Sequence, residues 1–312
     1  MRAFIFPGQG SQTVGMGKAI ADAFAAAREA FEEVDEALNQ RLSRLMWQGP
    51  EDQLTLTENT QPAVMVASLA IIRTLQRYGG LDLSKHARLV AGHSAGEYSA
   101  LCAAGALSLS DAARLLRTRG RAMQAAAPVG SGAMSALIGI ELAAAEAAVK
   151  EAETVGPVVV ANDNAPGQIV ISGATRAVEK AGEIAKTKGC KRVIPLAVST
   201  PNHSPLLKAA TEPMREALSE ITIRPPAVPV ISNVTASEML EPDRIRALLV
   251  EQLTARVRWR ESVAAFRSLG VAMTVEAGGN KVLTGMVKRI DKELEPVTLD
   301  SPADIEAFAK SL

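Results

Sequence analysis

Ser94 stands in the pentad Gly92-His93-Ser94-Ala95-Gly96, after the short apolar run Leu89-Val90-Ala91 and before a helix-forming segment. A serine between two glycines at such a junction is placed on a tight strand-to-helix turn, its hydroxyl held out over the end of a sheet as a nucleophile. The glycines let the backbone bend sharply and let neighbouring chain approach where a Cβ would block it. The amide of Ala95 falls in the first turn of the following helix, where free N–H groups and the positive end of the helix dipole favour an oxyanion. The same spacing also fits an ordinary strand-helix turn in which Ser94 only caps the helix.

A serine hydroxyl attacks well only when a base takes its proton, and the chain offers three histidines. His93 neighbours Ser94 on the strand and so points to the other face. His86 precedes that strand and lies near its amino end. His203, in the polar turn Ser199-Thr200-Pro201-Asn202-His203-Ser204, is therefore assigned as the base by elimination. Asp111 and Asp163 lie between serine and histidine in the chain, but one starts a helix and the other sits in an inserted segment. A serine-histidine dyad oriented by a backbone carbonyl is expected in place of a triad.

Arg119 is the third residue with chemistry in it. The helix from about Ser110 to just before Pro128 carries Ala112, Leu115, Leu116 and Met123 on one face and Arg114, Arg117 and Arg121 opposite. Arg119 falls in the middle of the apolar stripe, where an unpaired guanidinium is very costly. It must meet either a buried protein carboxylate or an anionic group of a substrate, and guanidinium geometry suits a carboxylate in bidentate fashion. Spacing leaves both open.

The elements that hold these residues read as α/β. Arg2–Phe6 is a buried strand closed by Pro7-Gly8-Gln9-Gly10-Ser11-Gln12, and a helix follows over about Lys18–Asn39. That turn fits neither the dinucleotide fingerprint, which needs glycine where Thr13 stands, nor the phosphate loop, which needs glycine where Gln12 stands. It remains either a plain turn or a site loop exposing backbone N–H groups around Gln9 at the carboxyl end of a strand. Thr60-Gln61-Pro62 opens a helix to about Arg77, with Pro62 in its first turn.

Residues 128–198 read differently, as β-α-β-β-α-β: strands over about 133–140, 158–161, 168–172 and 191–198, with a turn at Asn164-Ala165-Pro166-Gly167. The expectation is a large α/β-hydrolase-like domain with a mostly parallel sheet (1–127 and 199–312) and an inserted small ferredoxin-like domain (128–198). In the large domain, Val228–Ser232 and Val271–Glu276 read as further strands, Pro205–Leu218 and Pro242–Leu253 as helices, and Lys281 to about Lys292 as a helix after Ala277-Gly278-Gly279-Asn280.

Composition excludes several classes. The 312 residues hold 34 basic and 34 acidic side chains and only 3% aromatics, so no overall field and few stacking rings invite nucleic acid. With 47% apolar and 22% charged residues the chain is neither disordered nor membranous, and no apolar run is long enough to span a bilayer. Pro7-Gly8 leaves no room for a secretory signal, so a cytoplasmic protein is expected. Cys102 and Cys190 form no C-x-x-C pair, and with three histidines no metal site is expected.

Taken together, these motifs resemble the malonyl-CoA:acyl carrier protein transacylase family of type II fatty acid synthesis. The residues that carry the resemblance span almost the whole chain: Phe6 to Gln12, Thr60-Gln61-Pro62, Gly92 to Glu97, Arg119-Gly120, Asn162 with Gln168 to Gly173, Pro201-Asn202-His203-Ser204, and Gln252-Leu253. The resemblance implies Ser94 as nucleophile, His203 as base oriented by a main-chain carbonyl near Gln252, and oxyanion amides at Gln9 and Ala95. It implies that Arg119 binds the malonyl carboxylate and that Gln9, His93, Asn162 and Asn202 line the substrate. Malonyl-CoA and acyl carrier protein are the implied partners, their thioesters being substrates and no cofactor being needed, and a monomer is expected. Asn202 departs from relatives that carry phenylalanine or serine before the histidine, a position that touches acyl selectivity. A serine esterase or thioesterase, a non-catalytic carrier-binding protein and the malonyl-loading subunit of a malonate decarboxylase are the rival readings. Lys191, Arg192, Lys208 and Lys281 are read as solvated surface charge, with a carrier landing surface as the alternative.

Overall fold

The computed structural model describes every residue of the chain except Val129, which lies inside the edge of the 128–198 insertion expected from sequence. The strands, in chain order, are β1 (Arg2–Phe6), β2 (Ala87–Gly92), β3 (Gly132–Ile138), β4 (Val158–Ala165), β5 (Gln168–Ala174), β6 (Arg192–Pro195), β7 (Val230–Ile231), β8 (Glu238–Met239), β9 (Met273–Ala277) and β10 (Glu295–Leu299). Among the described residues they form a six-stranded sheet, ordered β10-β9-β1-β2-β7-β8, and a four-stranded sheet, ordered β4-β5-β3-β6. The first is parallel except for β8; the second is antiparallel throughout. The chain is thus mixed α/β, with a mostly parallel sheet and a separate antiparallel one.

Parallel strands with helices on both faces are buried on both faces, which is why Ala3–Phe6 and Leu89–Ala91 are wholly apolar and wholly buried. One face packs under the helices Ala25–Leu38, Thr57–Tyr78 and Leu109–Ala126, the other against Trp259, Val263, Phe266 and Met286. The antiparallel sheet has its own apolar cluster, built with the helices Leu142–Ala152 and Thr175–Thr187.

Several element boundaries depart from the sequence reading. The helix expected over Lys18–Asn39 is two, Lys18–Ala23 and Ala25–Leu38, broken where Phe24 is extended (φ −127°, ψ 124°) and its ring meets Tyr78. The helix expected to open at Pro62 instead begins at Thr57 and carries Pro62 inside it. Its early start is tied down by side chains: Asn59 Nδ2 donates to Gln53 O and Thr60 Oγ1 to Leu54 O. Arg117, expected on an exposed face, is buried, because the start of the Thr57 helix covers it and Glu58 lies 3.8 Å away. The turn placed at 164–167 shrinks to Pro166-Gly167, since β4 and β5 pair out to Ala165 and Gln168. The strand read to Val198 ends at Pro195, and the Pro205–Leu218 helix divides into a 3₁₀ turn, Pro205–Ala210, and an α-helix, Thr211–Ser219.

Candidate active site

Ser94 sits at the carboxyl end of β2 with φ 53°, in the left-handed region, immediately before the helix Gly96–Ala103. Glycine is needed beside it: a Cβ on Gly96 would come within 2.2 Å of Phe6 O, at the end of the paired strand β1. Gly8 meets the same constraint from the other side, where a Cβ would lie 2.3 Å from His93 O. The loop carrying Gln9 is therefore pressed against the turn carrying Ser94. Among the described residues, the backbone amides of Gln9 and Ala95 donate to no protein acceptor, which leaves two N–H groups free beside the serine.

His203 is brought to Ser94 across 109 residues of chain: Ser94 Oγ lies 2.7 Å from His203 Nε2. His203 Nδ1 lies 2.8 Å from the carbonyl oxygen of Gln252, so Nδ1–H donates there and Nε2 keeps a lone pair for the serine proton. His203 too is held in the left-handed region, at φ 58°. Burial pushes its pKa down to about 3, with the positive charge of Arg119 adding to the effect, so the imidazole is a neutral base.

Arg119 is 1% exposed and extends from the helix Leu109–Ala126 to the underside of the serine. Its Nη1 donates to Gln61 Oε1 (2.8 Å), its Nη2 to Gln252 Oε1 (3.0 Å) and, at 3.3 Å, to Ser94 Oγ. Its Nε has no partner. The protein-carboxylate pairing allowed by its spacing is not made: its acceptors are two neutral amide oxygens and the Ser94 hydroxyl, and among the described residues no carboxylate lies within ion-pair distance.

A cleft of about 140 Å³ opens over Ser94 and His203 between the two sheets. Gln9, His93, Asn162 and Asn202 all line it, with Val170 and Met286 among its apolar walls. Three of the four polar residues are hydrogen-bonded to protein side chains. Gln9 Nε2 donates to Thr57 Oγ1 (3.2 Å), Asn202 Oδ1 accepts from Thr200 Oγ1 (2.5 Å), and His93 Nε2 lies 2.7 Å from Asn164 Oδ1. Burial lowers the pKa of His93, so it too favours the neutral form. Arg119 and Gln252 lie beneath the serine, outside the cleft lining.

Two residues of the site escaped sequence reasoning. Asn233 clamps the turn: its Oδ1 accepts from Ser94 N (2.6 Å), its Nδ2 donates to Gly92 O (2.6 Å) and its own N–H donates to Glu97 Oε2 (3.0 Å). Its signal is a polar Ser232-Asn233 at the carboxyl end of an apolar strand, where α/β sheets gather their functional groups. Gln61 holds Arg119, and nothing local to its sequence announces that.

The chain matches the acyl transferase domain family over residues 3–300. It is 44% identical to the malonyl CoA-acyl carrier protein transacylase of Bacillus subtilis strain 168, across 99% of this chain and 96% of that protein. The Escherichia coli K12 protein of the same name is 44% identical, across 98% and 97%. Among solved structures, the acyl-carrier-protein-S-malonyltransferase of Bartonella henselae superposes with a TM-score of 0.97 at 49% identity, covering 99% of this chain and 98% of that one. A malonyl-transacylase solved in complex with a type II PKS acyl-carrier protein gives 0.96 at 40% identity, covering 100% and 99%.

Proposed function

The chain belongs to the acyl transferase family, among relatives named malonyl CoA-acyl carrier protein transacylase, and on that premise we propose that it moves the malonyl group from malonyl-CoA to acyl carrier protein in two half-reactions through Ser94. In the first, His203 Nε2 takes the Ser94 proton as Oγ attacks the thioester carbonyl. The amides of Gln9 and Ala95 receive the oxyanion, and the collapsing intermediate expels CoA, whose sulfur takes the proton from His203. In the second, His203 takes the proton of the carrier's phosphopantetheine thiol, the sulfur attacks the malonyl ester, and Ser94 leaves with the proton. Arg119 holds the free carboxylate throughout. CoA and phosphopantetheine enter as substrates, and the chemistry calls for no cofactor. Gln9, His93, Asn162 and Asn202 line the acyl and pantetheine path, with segment 128–198 acting as a small unit that closes one side.

One observation carries this reading. Ser94 Oγ stands between a neutral imidazole at 2.7 Å and, at 3.3 Å, a buried guanidinium that has no carboxylate of its own. A neutral acyl group would leave that guanidinium without a carboxylate in direct contact. The orientation of His203 by a carbonyl, where a carboxylate would complete a hydrolase triad, favours transfer over hydrolysis. Intact-mass measurement after mixing with malonyl-CoA tests it. The expected result is one malonyl adduct, absent in Ser94→Ala, that persists in water and discharges when holo acyl carrier protein is added. Rapid loss of the adduct to water alone would favour an esterase.

A further inference from the structure

Glu97 is fully buried three residues beyond the nucleophile, and the mechanism above leaves it unused. Its Oε2 accepts from Gln252 Nε2 (2.8 Å) and from Asn233 N (3.0 Å), whereas its Oε1 has no donor at all. Gln252 therefore stands between two buried charges, its Oε1 toward the Arg119 guanidinium and its Nε2 toward the Glu97 carboxylate. That arrangement orients the amide dipole for a cation on one side and an anion on the other. Glu97 also lies in the first turn of the helix Gly96–Ala103, where negative charge is favoured.

Most neighbouring charges have partners elsewhere, although Arg117 also keeps two buried nitrogens unpartnered. Arg73 pairs with Glu33, Arg77 with Glu29 and Arg88 with Glu238, while Arg117 and Arg121 share Glu58 and Arg114 pairs with Asp111. The hydroxyl of Tyr98 is pushed up to about 12 by burial and stays protonated. His203 is neutral, for the reasons given above. Among the described residues, Arg119 is the cation whose charge acts on Glu97.

Resting on the malonyl-transfer reading, we propose that Glu97 is the counter-charge of Arg119 in the empty site and takes up a proton when the carboxylate of the acyl group pairs with Arg119. The site then holds one buried negative charge against one buried positive charge in both states. Burial holds the Glu97 carboxyl up at about 7, and Arg119 is among the groups that pull it down. Once a substrate carboxylate neutralises the guanidinium, that pull is cancelled and the proton is retained at higher pH. Binding linked to proton uptake is tighter at low pH. Glu97 is thus a positioning and charge-balancing residue that never touches the substrate.

The test is calorimetry of the Ser94→Ala protein, which binds acyl-CoA without turnover, in buffers of different ionisation enthalpy. Malonyl-CoA is expected to take up a fraction of a proton per site near neutral pH, in excess of acetyl-CoA, whose identical CoA moiety serves as the control. The ratio of malonyl-CoA to acetyl-CoA affinity should fall about twofold to threefold from pH 6 to pH 8. Adding Glu97→Gln should abolish the excess uptake and flatten that ratio. Malonyl-CoA binding with no excess uptake would overturn the proposal and leave malonyl transfer standing. Uptake that persists in the Glu97→Gln protein would overturn it by assigning the proton to another group, His203 first. If Glu97→Gln does not fold, infrared difference spectra of the Ser94→Ala protein decide: a protonated-carboxyl band gained on malonyl-CoA binding is expected, and proton uptake without that band would overturn the proposal. Failure of malonyl-CoA to bind would overturn both readings.

Discussion

Two buried charges in this chain are handled in opposite ways. Asp163, 1% exposed in its side chain, sits on β4 behind the cleft and receives Arg260 through Nε (2.9 Å) and Nη2 (2.8 Å). Arg119, equally buried, is met by two neutral amides and the hydroxyl of Ser94. The first is an ion pair closed within the protein, with Arg260 reaching out to solvent. The second is a cation separated from the Glu97 carboxylate by the amide of Gln252, and on the proposed function it is the group that receives a carboxylate from outside. A buried charge already matched holds structure together; one left partly unmatched is available for recognition.

The sharpest way to break that contrast is Arg119→Ala. Malonyl transfer should fall by roughly 10²-fold to 10³-fold in kcat/KM while acetyl transfer falls far less, measured with malonyl-CoA and acetyl-CoA against one carrier. Equal losses would remove Arg119 from substrate recognition and make it another Asp163. The complementary change, Asp163→Asn, should lower stability by about 1–2 kcal/mol in urea unfolding, since Arg260 is partly solvated, and leave the malonyl-to-acetyl ratio unchanged. A changed ratio would mean that the two charges are coupled.

The smallest effect concerns pH. With its pKa lowered from the ordinary 6.5 to about 3, His203 stays neutral in the folded protein while the unfolded chain binds a proton below about pH 6.5. The acid limb of kcat/KM should thus lie well below pH 6, and this histidine should cost stability progressively as pH falls through 6.5 toward 3. A limb centred near 6.5 would show that Arg119 and burial do not act on the base as described.

The site was legible in sequence wherever a local rule applied. Ser94 announced itself by two glycines at a strand-helix junction, Arg119 by interrupting an apolar helical face, and His203 because only three histidines existed to choose from. Gln9 was marked by its own residues only as the amide of a glycine-rich turn, and its oxyanion role came from the family resemblance. The Lys18–Asn39 helix shows the limit of periodicity: both halves are amphipathic, and the break at Phe24 comes from a ring packed on Tyr78, far along the chain. Asn233 carried only its place at the end of an apolar strand, because what it clamps lies 139 residues away.

From the sequence alone follow the α/β class, the strained turn at Ser94, a base on a distant loop and a guanidinium that needed an anion, because dihedral preference, helical period and the cost of burying charge are all local or compositional. What the tertiary structure decided is which distant groups meet. Placing β7 beside β2 delivers Asn233 to Ser94, and the packing that carries Gln252 between Arg119, Glu97 and His203 sets every charge in the site. Such meetings depend on sheet order and packing depth, and no spacing along one chain encodes them.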